Sequence, residues 1–552
     1  MSTAMQGRWF KRAAAVLALA LVAAACGGGG DDDSGSGTEG GGEDAGTPTP
    51  GGRVVYGLEA ETTDGWCLPE AQLAIGGIMV AMSIYDTLTR PNAEGEMEPW
   101  LAEEVTANED STQWTIKLRE GVTFHDGSEL TAEVVKNNLD AYRGQYPTRA
   151  PQLFIFVFAP IDTVEVVDPL TVQVNMKQPW VSFDAALHSS GRLGMMAQAQ
   201  LDDERTCASN LIGTGPFMNP DWVQNQSFTA EKNPDYWATD AAGEPLPYLD
   251  EIEFRPIVEV EQRRNALESG EISAMHTSDA ATIDDLRDLV DAGDINAYES
   301  DDFGEVSYIM LSETKPPFDN IIARQALAHA VDFEETNAIL NAGIVTQATG
   351  PFAPGNVGNL DDTDFPTYDL EEAQSLVEEY EAETGEELAF TYTTTNGQAT
   401  VEQAQLLKEQ AEEAGMTVEI VTEDQSTLID RAIEGNFQAQ GWRNHPGGDP
   451  DLQYNWWKTG SPVNFGKFED PEIDALLDQG RETKDPAERQ QIYEDLNRRF
   501  AEQVHNVWLW YTPWTVATAP EVHGVPGEGP TSAEPFPGLA TGHPVTYMWV
   551  EQ

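Results

Sequence analysis

Leu388-Ala389-Phe390-Thr391-Tyr392-Thr393-Thr394 is a short apolar and β-branched run, and what surrounds it decides the fold class. A helical pattern over Val401 to Ala414 follows, stopped by Gly415, and Met416 to Val421 reads as a second strand. Strand, helix and strand in that order form a βαβ unit, which requires a parallel sheet and a right-handed crossover. The chain is therefore α/β, and its 552 residues are enough for more than one lobe with its own core.

Working outward, Trp114, Ile116 and Leu118 alternate with polar residues and predict a half-buried strand. Val172, Val174 and Met176 alternate in the same way just after Asp168-Pro169, as in the return strand of a hairpin. Asp485-Pro486 with Glu488 predicts a helix start, with Ile492, Leu496 and Phe500 on the buried face. Folded material is expected from Arg53 onward. Residues 27–52, rich in Gly, Ser, Asp and Thr-Pro, bury too little apolar surface to offset their ordering entropy and predict a tether.

The charge is extreme, with 95 acidic against 30 basic residues for a net of -65. Such a chain repels phosphate backbones and anionic lipid, so nucleic acid is excluded as a partner. No nucleophile elbow, zinc motif, phosphate loop or C-x-x-C is present, and the eight histidines are scattered without metal-ligand spacing. His329 falls in the helical run Ala323 to Val331, where a packed or surface role is expected. No reaction, metal or cofactor is thereby proposed. Aromatic clusters are the better lead: Trp442, Trp456 and Trp457, then Trp508, Trp510, Tyr511 and Trp514 read as walls of a ligand cleft.

The N-terminus carries an address. Arg8, Lys11 and Arg12 precede an apolar segment over Ala13 to Ala25, too short to span a membrane, and Cys26 ends it. The arrangement resembles a bacterial lipoprotein signal, with Ala23 standing where that pattern prefers Leu. An ordinary signal-peptidase site is the alternative. Residues 1–25 are thus expected as a signal peptide and Cys26 as a lipidated anchor. Cys67 and Cys207 remain as an even pair, able to form a disulfide outside the cytoplasm or to stay as two buried thiols.

Several further segments occur in a telling order. Ile84-Tyr85-Asp86-Thr87-Leu88 precedes Pro99-Trp100-Leu101-Ala102, and Gly121-Val122-Thr123-Phe124-His125-Asp126-Gly127 leads into Leu130-Thr131-Ala132-Glu133-Val134. Gly213-Thr214-Gly215-Pro216-Phe217, Asn233-Pro234-Asp235-Tyr236-Trp237, Leu249-Asp250-Glu251-Ile252 and Pro316-Pro317-Phe318-Asp319 follow, the last ahead of Ala323-Arg324-Gln325-Ala326-Leu327. Together they resemble the extracellular solute-binding proteins of ABC importers, family 5, which carry peptides, nickel complexes and related solutes. Val134 departs from the Asp usual there.

The resemblance implies a two-lobed, hinge-linked, periplasmic-binding-protein-like fold, large class, with an extra subdomain in lobe 1. Lobe 1 is expected over 53–306, lobe 2 over 307–506, and the return to lobe 1 over 507–552. It implies a monomeric receptor without enzymatic activity, working with ABC permease subunits at the outer face of the cell membrane or in the periplasm. An oligopeptide or similar polar solute is the expected cargo. A metal chelate, oligosaccharide or opine-like solute is the alternative on the same fold, and an extracellular hydrolase is the alternative from another class. Peptide binders of the family hold the ligand's amino group with an Asp in a loop that here reads Gly441-Trp442-Arg443-Asn444-His445-Pro446-Gly447-Gly448-Asp449, with His445 in the Asp position. The expected ligand-binding residues are Trp442, Arg443, Asn444, His445, Asp449, Trp456, Trp457, Tyr511 and Trp514. Arg443 can grip a carboxylate or phosphate in a fork, or serve as one half of a structural ion pair.

Overall fold

The βαβ unit is present and sits near one edge of the main sheet. In the computed structural model, Ala389–Thr395 and Thr417–Glu423 run parallel, in register from Ala389↔Thr417 to Thr395↔Glu423. Helix Gln398–Glu413 joins them. It begins ahead of Val401 because Gln398 and Ala399 are good helix formers and nothing stops the helix before Gly397. Gly415, at φ +97°, turns the chain out of the helix. The structure describes residues 47–62, 65–92, 94–444, 447–525 and 543–552. Cys26, the signal-like segment and His445 lie outside the described residues.

The main sheet has eleven strands. Its backbone order runs Thr417–Glu423, Ala389–Thr395, Ala439–Asn444, Asn296–Leu311, Asn506–Thr518, Ala274–Thr277, Arg53–Leu58, Glu251–Pro256, Ser227–Lys232 and Phe217–Val223. The sheet is mixed rather than parallel throughout: Ala439–Asn444 is parallel to Ala389–Thr395 but antiparallel to Asn296–Leu311. Its two central strands are the longest, Asn296–Leu311 with 16 residues and Asn506–Thr518 with 13. At about 3.4 Å per residue the longer one extends roughly 50 Å, enough to serve two cores.

Beside two smaller clusters, two large cores dominate the burial of the described residues. One draws on Val54 through Ala274 and again on Trp514 through Met548. The other runs from Val306 to Tyr511. The outgoing strand changes allegiance between Tyr298, packed on the first core, and Val306, in the second. The return strand changes between Tyr511 and Trp514. The fold is α/β with two lobes joined through this strand pair. The first lobe also carries a four-stranded antiparallel sheet, in the order Ala102–Ala107, Gln113–Leu118, Thr171–Met176, Ile161–Asp168.

Local chemistry explains the second-lobe helices. Asp485 accepts a hydrogen bond from Glu488 N at 2.9 Å, Pro486 opens helix Pro486–Gln503, and Ile492, Leu496 and Phe500 are buried along it. His329 lies in the last turn of helix Ile321–Ala330, its Nδ1 2.7 Å from Thr367 O. The ordered body starts earlier than Arg53. Gly51 N donates to Tyr248 O at 2.8 Å and Thr49 Oγ1 to Val550 O at 3.0 Å, so hydrogen bonds to the first lobe hold the last residues of the expected tether.

Cys67 and Cys207 are joined as a disulfide with Cα atoms 5.1 Å apart, closing a loop of sequence separation 140 in the first lobe. With Glu70 they are also the one grouping of candidate metal donors among the described residues, and the S–S bond occupies both sulfurs. No helix among the described residues is long and apolar enough to cross a membrane.

Candidate functional site

Two of the places where the lobes meet are built from charge. The first lies where Asn296–Leu311 leaves the first core. Its register against Asn506–Thr518 shifts between Ser300 and Glu305, with Phe303 at φ +51°. A Cβ on Gly304 would stand 2.6 Å from Asp301 O, so the irregularity requires glycine there. Such a bulge re-aims the side chain that follows it, here Glu305.

Arg443 faces that carboxylate from the neighbouring strand Ala439–Asn444, where it pairs with Ser307. Its Nη1 lies 3.4 Å from Glu305 Oε2 and donates to Ser278 Oγ at 3.2 Å, just past the first-lobe strand Ala274–Thr277. The Arg443 side chain is 48% exposed and that of Glu305 13%. Burial raises the Glu305 carboxyl above the usual range and the Arg443 charge only partly offsets it, while Glu305 in turn strengthens the charge on Arg443.

Arg192 brings a second guanidinium from the first lobe. It follows Ser189, Ser190 and Gly191, all at positive φ, a turn that ends helix Phe183–His188. Gly191, at φ +79°, sits where the backbone favours glycine, and a Cβ there would also crowd Met82 Sδ at 2.7 Å. Arg192 Nε donates to Leu73 O at 3.0 Å. Burial lowers its pKa to about 10, and Glu305 is the acid that counters this. Beside the group, Glu59 N donates to His276 Nε2 at 3.2 Å. That nitrogen must be unprotonated, consistent with burial taking His276 down to about 3.

The second meeting place is saturated. Asp451 Oδ2 accepts from Trp180 Nε1 at 2.6 Å and Ser182 Oγ at 2.9 Å, both of the first lobe. Its Oδ1 accepts from Arg481 Nε at 2.8 Å within the second lobe. Side-chain exposure at this ion pair is 3% for Arg481 and 1% for Asp451. Arg481 O also accepts from Val181 N at 2.9 Å, and Lys484 Nζ donates to Asn108 O at 3.0 Å and Glu109 O at 2.7 Å.

The expected ligand residues divide accordingly. Arg443 stands at the first meeting place, and Trp514 lies beside Glu305, buried and tilted against the His276 ring with centroids 5.5 Å apart. Trp442 and Trp456 are partly buried against Phe465, at 5.6 and 5.4 Å. Others are structural. Trp457 is core, packed on Phe500 at 5.1 Å, and Tyr511 is core on a strand covered on both faces. Asn444 is buried with its Nδ2 on Gln453 Oε1 at 2.9 Å. Asp449 holds Arg489 in a two-point ion pair at 2.7 and 2.8 Å and caps the turn at Asp451 N. Glu305, Arg192 and Ser278 are functional candidates that the sequence reading passes over. Glu305 hides among Glu299, Asp301 and Asp302, and Phe303-Gly304, which breaks the strand pattern, is the one signal that marks it.

Comparison with known proteins agrees with this architecture. The family model described as bacterial extracellular solute-binding proteins, family 5 (middle region), matches residues 96–465. The glutathione-binding protein GsiB of Escherichia coli K12 is 27% identical over 433 residues, covering 75% of this chain and 80% of that protein. Among solved structures, the oligopeptide-binding protein AppA of Bacillus subtilis, in complex with a nonapeptide, aligns with a TM-score of 0.76 at 20% identity. That alignment covers 92% of this chain and all of AppA. AgaA of A. tumefaciens R10, in complex with agropinic acid, aligns at 0.77 and 23% identity, covering 91% and 99%.

Proposed function

The chain belongs to the bacterial extracellular solute-binding proteins, family 5, and from that membership we propose that it is the capture component of an ABC importer. It encloses a short peptide or similar polar solute between its lobes and hands it to the permease subunits, without covalent chemistry. The lobes are taken as 53–306 with 507–552, and 307–506, the strand pair between them serving as the hinge. The observation that carries this reading is Arg443. A second-lobe guanidinium reaches first-lobe Ser278 beside a buried carboxylate, at the level where both central strands cross. A permanent charge half exposed between two lobes is suited to grip an anionic group on the cargo. The glutathione and oligopeptide named for the relatives fit the same chemistry.

In this reading Cys26 carries a lipid and moors a monomeric receptor at the outer face of the membrane, with the following segment as its tether. Native mass spectrometry of gently purified protein tests the cargo class. A retained peptide-like mass, released on denaturation and rebound in calorimetry, is the expected result. Retention of a solute with no peptide or amino-acid character would overturn the peptide reading. Mass analysis of the mature N-terminus tests the anchor, a diacylglycerol adduct on Cys26 being expected.

A further inference from the structure

Glu305 and Arg443 are opposite charges held side by side between the lobes, and neither is saturated. Glu305 Oε2 is buried and accepts no hydrogen bond, with Arg443 Nη1 at 3.4 Å. A guanidinium has five N–H donors, and among the described residues Arg443 donates one hydrogen bond, to Ser278. Arg192 adds a second positive charge felt at Glu305 from the first lobe. An acceptor without a hydrogen bond beside a donor with unused N–H groups leaves both to a ligand once the lobes part.

We propose that this pair recognises an α-amino-acid head group, with the ammonium on Glu305 and the carboxylate on Arg443. The inference deepens the capture reading above and rests on it. Its geometric basis is the separation. Acceptor and donor stand about one hydrogen-bond length apart, so the two complementary ligand groups must also be adjacent, as they are on one Cα. The free ends of an ordinary peptide are separated by at least one peptide unit and cannot both reach the pair. A free amino acid, or a peptide linked through its side-chain carboxyl, presents both charges on one carbon. Other charge types are rejected in turn. A simple anion meets Glu305, a simple cation meets Arg443, and a neutral sugar leaves the charges without partners when the lobes close.

Calorimetric titration with γ-glutamyl-cysteinyl-glycine, its α-linked isomer and the N-acetylated γ-linked form tests this directly. The two isomers have identical atoms and net charge, so bulk electrostatics cannot separate them. The γ-linked peptide is expected to bind at least about tenfold tighter than either analogue, the step that one lost charged hydrogen bond produces. In Glu305→Gln, with an unchanged melting temperature, free and N-acetylated γ-linked peptides should bind alike. Equal binding of the isomers by the unaltered protein, or no binding of all three, overturns the head-group inference. Failure of a broad mixture of peptides and amino acids to bind or raise the melting temperature would overturn the capture reading itself.

Discussion

Asp451 and Glu305 are both buried carboxylates beside an arginine at a junction of the lobes, and they differ in one respect. Every oxygen of Asp451 is occupied, by Trp180, Ser182 and Arg481, whereas Glu305 Oε2 accepts nothing. The difference separates architecture from recognition. A saturated ion pair is fixed by its neighbours and cannot take a ligand without losing a bond it already has. An unsaturated one costs stability in the empty protein and recovers it only when a complementary group arrives. Proximity of charges is therefore a weaker guide to a site than unfilled hydrogen-bonding capacity.

The contrast can be broken by substitution, and the largest effect belongs to the saturated site. Asp451→Asn should cost about 3–5 kcal/mol of stability, because it leaves Arg481 buried without its counter-charge. Denaturant unfolding reads this directly, and a loss below about 1 kcal/mol would remove the distinction. Arg443→Ala should lower ligand affinity by about 10- to 100-fold while shifting stability little, since the side chain is half exposed. Calorimetry with the retained solute checks it, and unchanged affinity would reject Arg443 as a ligand group.

Acidification sharpens the same comparison. The Glu305 pKa is raised in the fold by burial, so its ionised form is lost before that of an ordinary glutamate as pH falls. An ammonium ligand needs the ionised form, so affinity should fall by up to about tenfold per pH unit below the raised pKa. The sign is opposite for stability: a carboxyl raised in the fold takes up its proton more readily there than in the unfolded chain, and this group favours folding as pH drops. Affinity and stability measured on one pH series should thus diverge at this residue. The smallest effect is that of Glu305→Gln on stability, within about 1 kcal/mol and neutral or favourable, because a neutral amide relieves a buried charge without an obligatory partner. A large destabilisation would place Glu305 with Asp451 as architecture.

Much of the fold is legible in the chain because local signals agree with one another. The βαβ unit at 388–421 shows in its strand runs and the glycine that stops the helix, and the helix after Asp485 shows in its cap. Motif order carries the two-lobed family. The site is only partly legible. Arg443 stands out as a permanent cation in an acidic loop, but Trp457, Tyr511 and Asp449 have the same residue chemistry as cleft walls and are claimed by the core and by Arg489. A tryptophan packed into a core cannot be told from one lining a cleft without its neighbours. Glu305 is invisible for the opposite reason. One acid among many acquires its role only from the bulge that turns it inward.

The division of the cores also orders the chain's assembly in time. The second core lies in one uninterrupted stretch, Val306 to Tyr511, and all its partners are present once that stretch has been made. The first core is sequence-split: Val54 through Ala274 must wait for Trp514, Val516 and Met548 at the far end of the chain. The larger N-terminal half therefore emerges with apolar surface that nothing yet covers, and contacts of such long sequence separation form late. The first core is complete only when the residues from Trp514 to Met548 have joined it, whereas the Asp451 junction with Trp180 and Ser182 needs none of them.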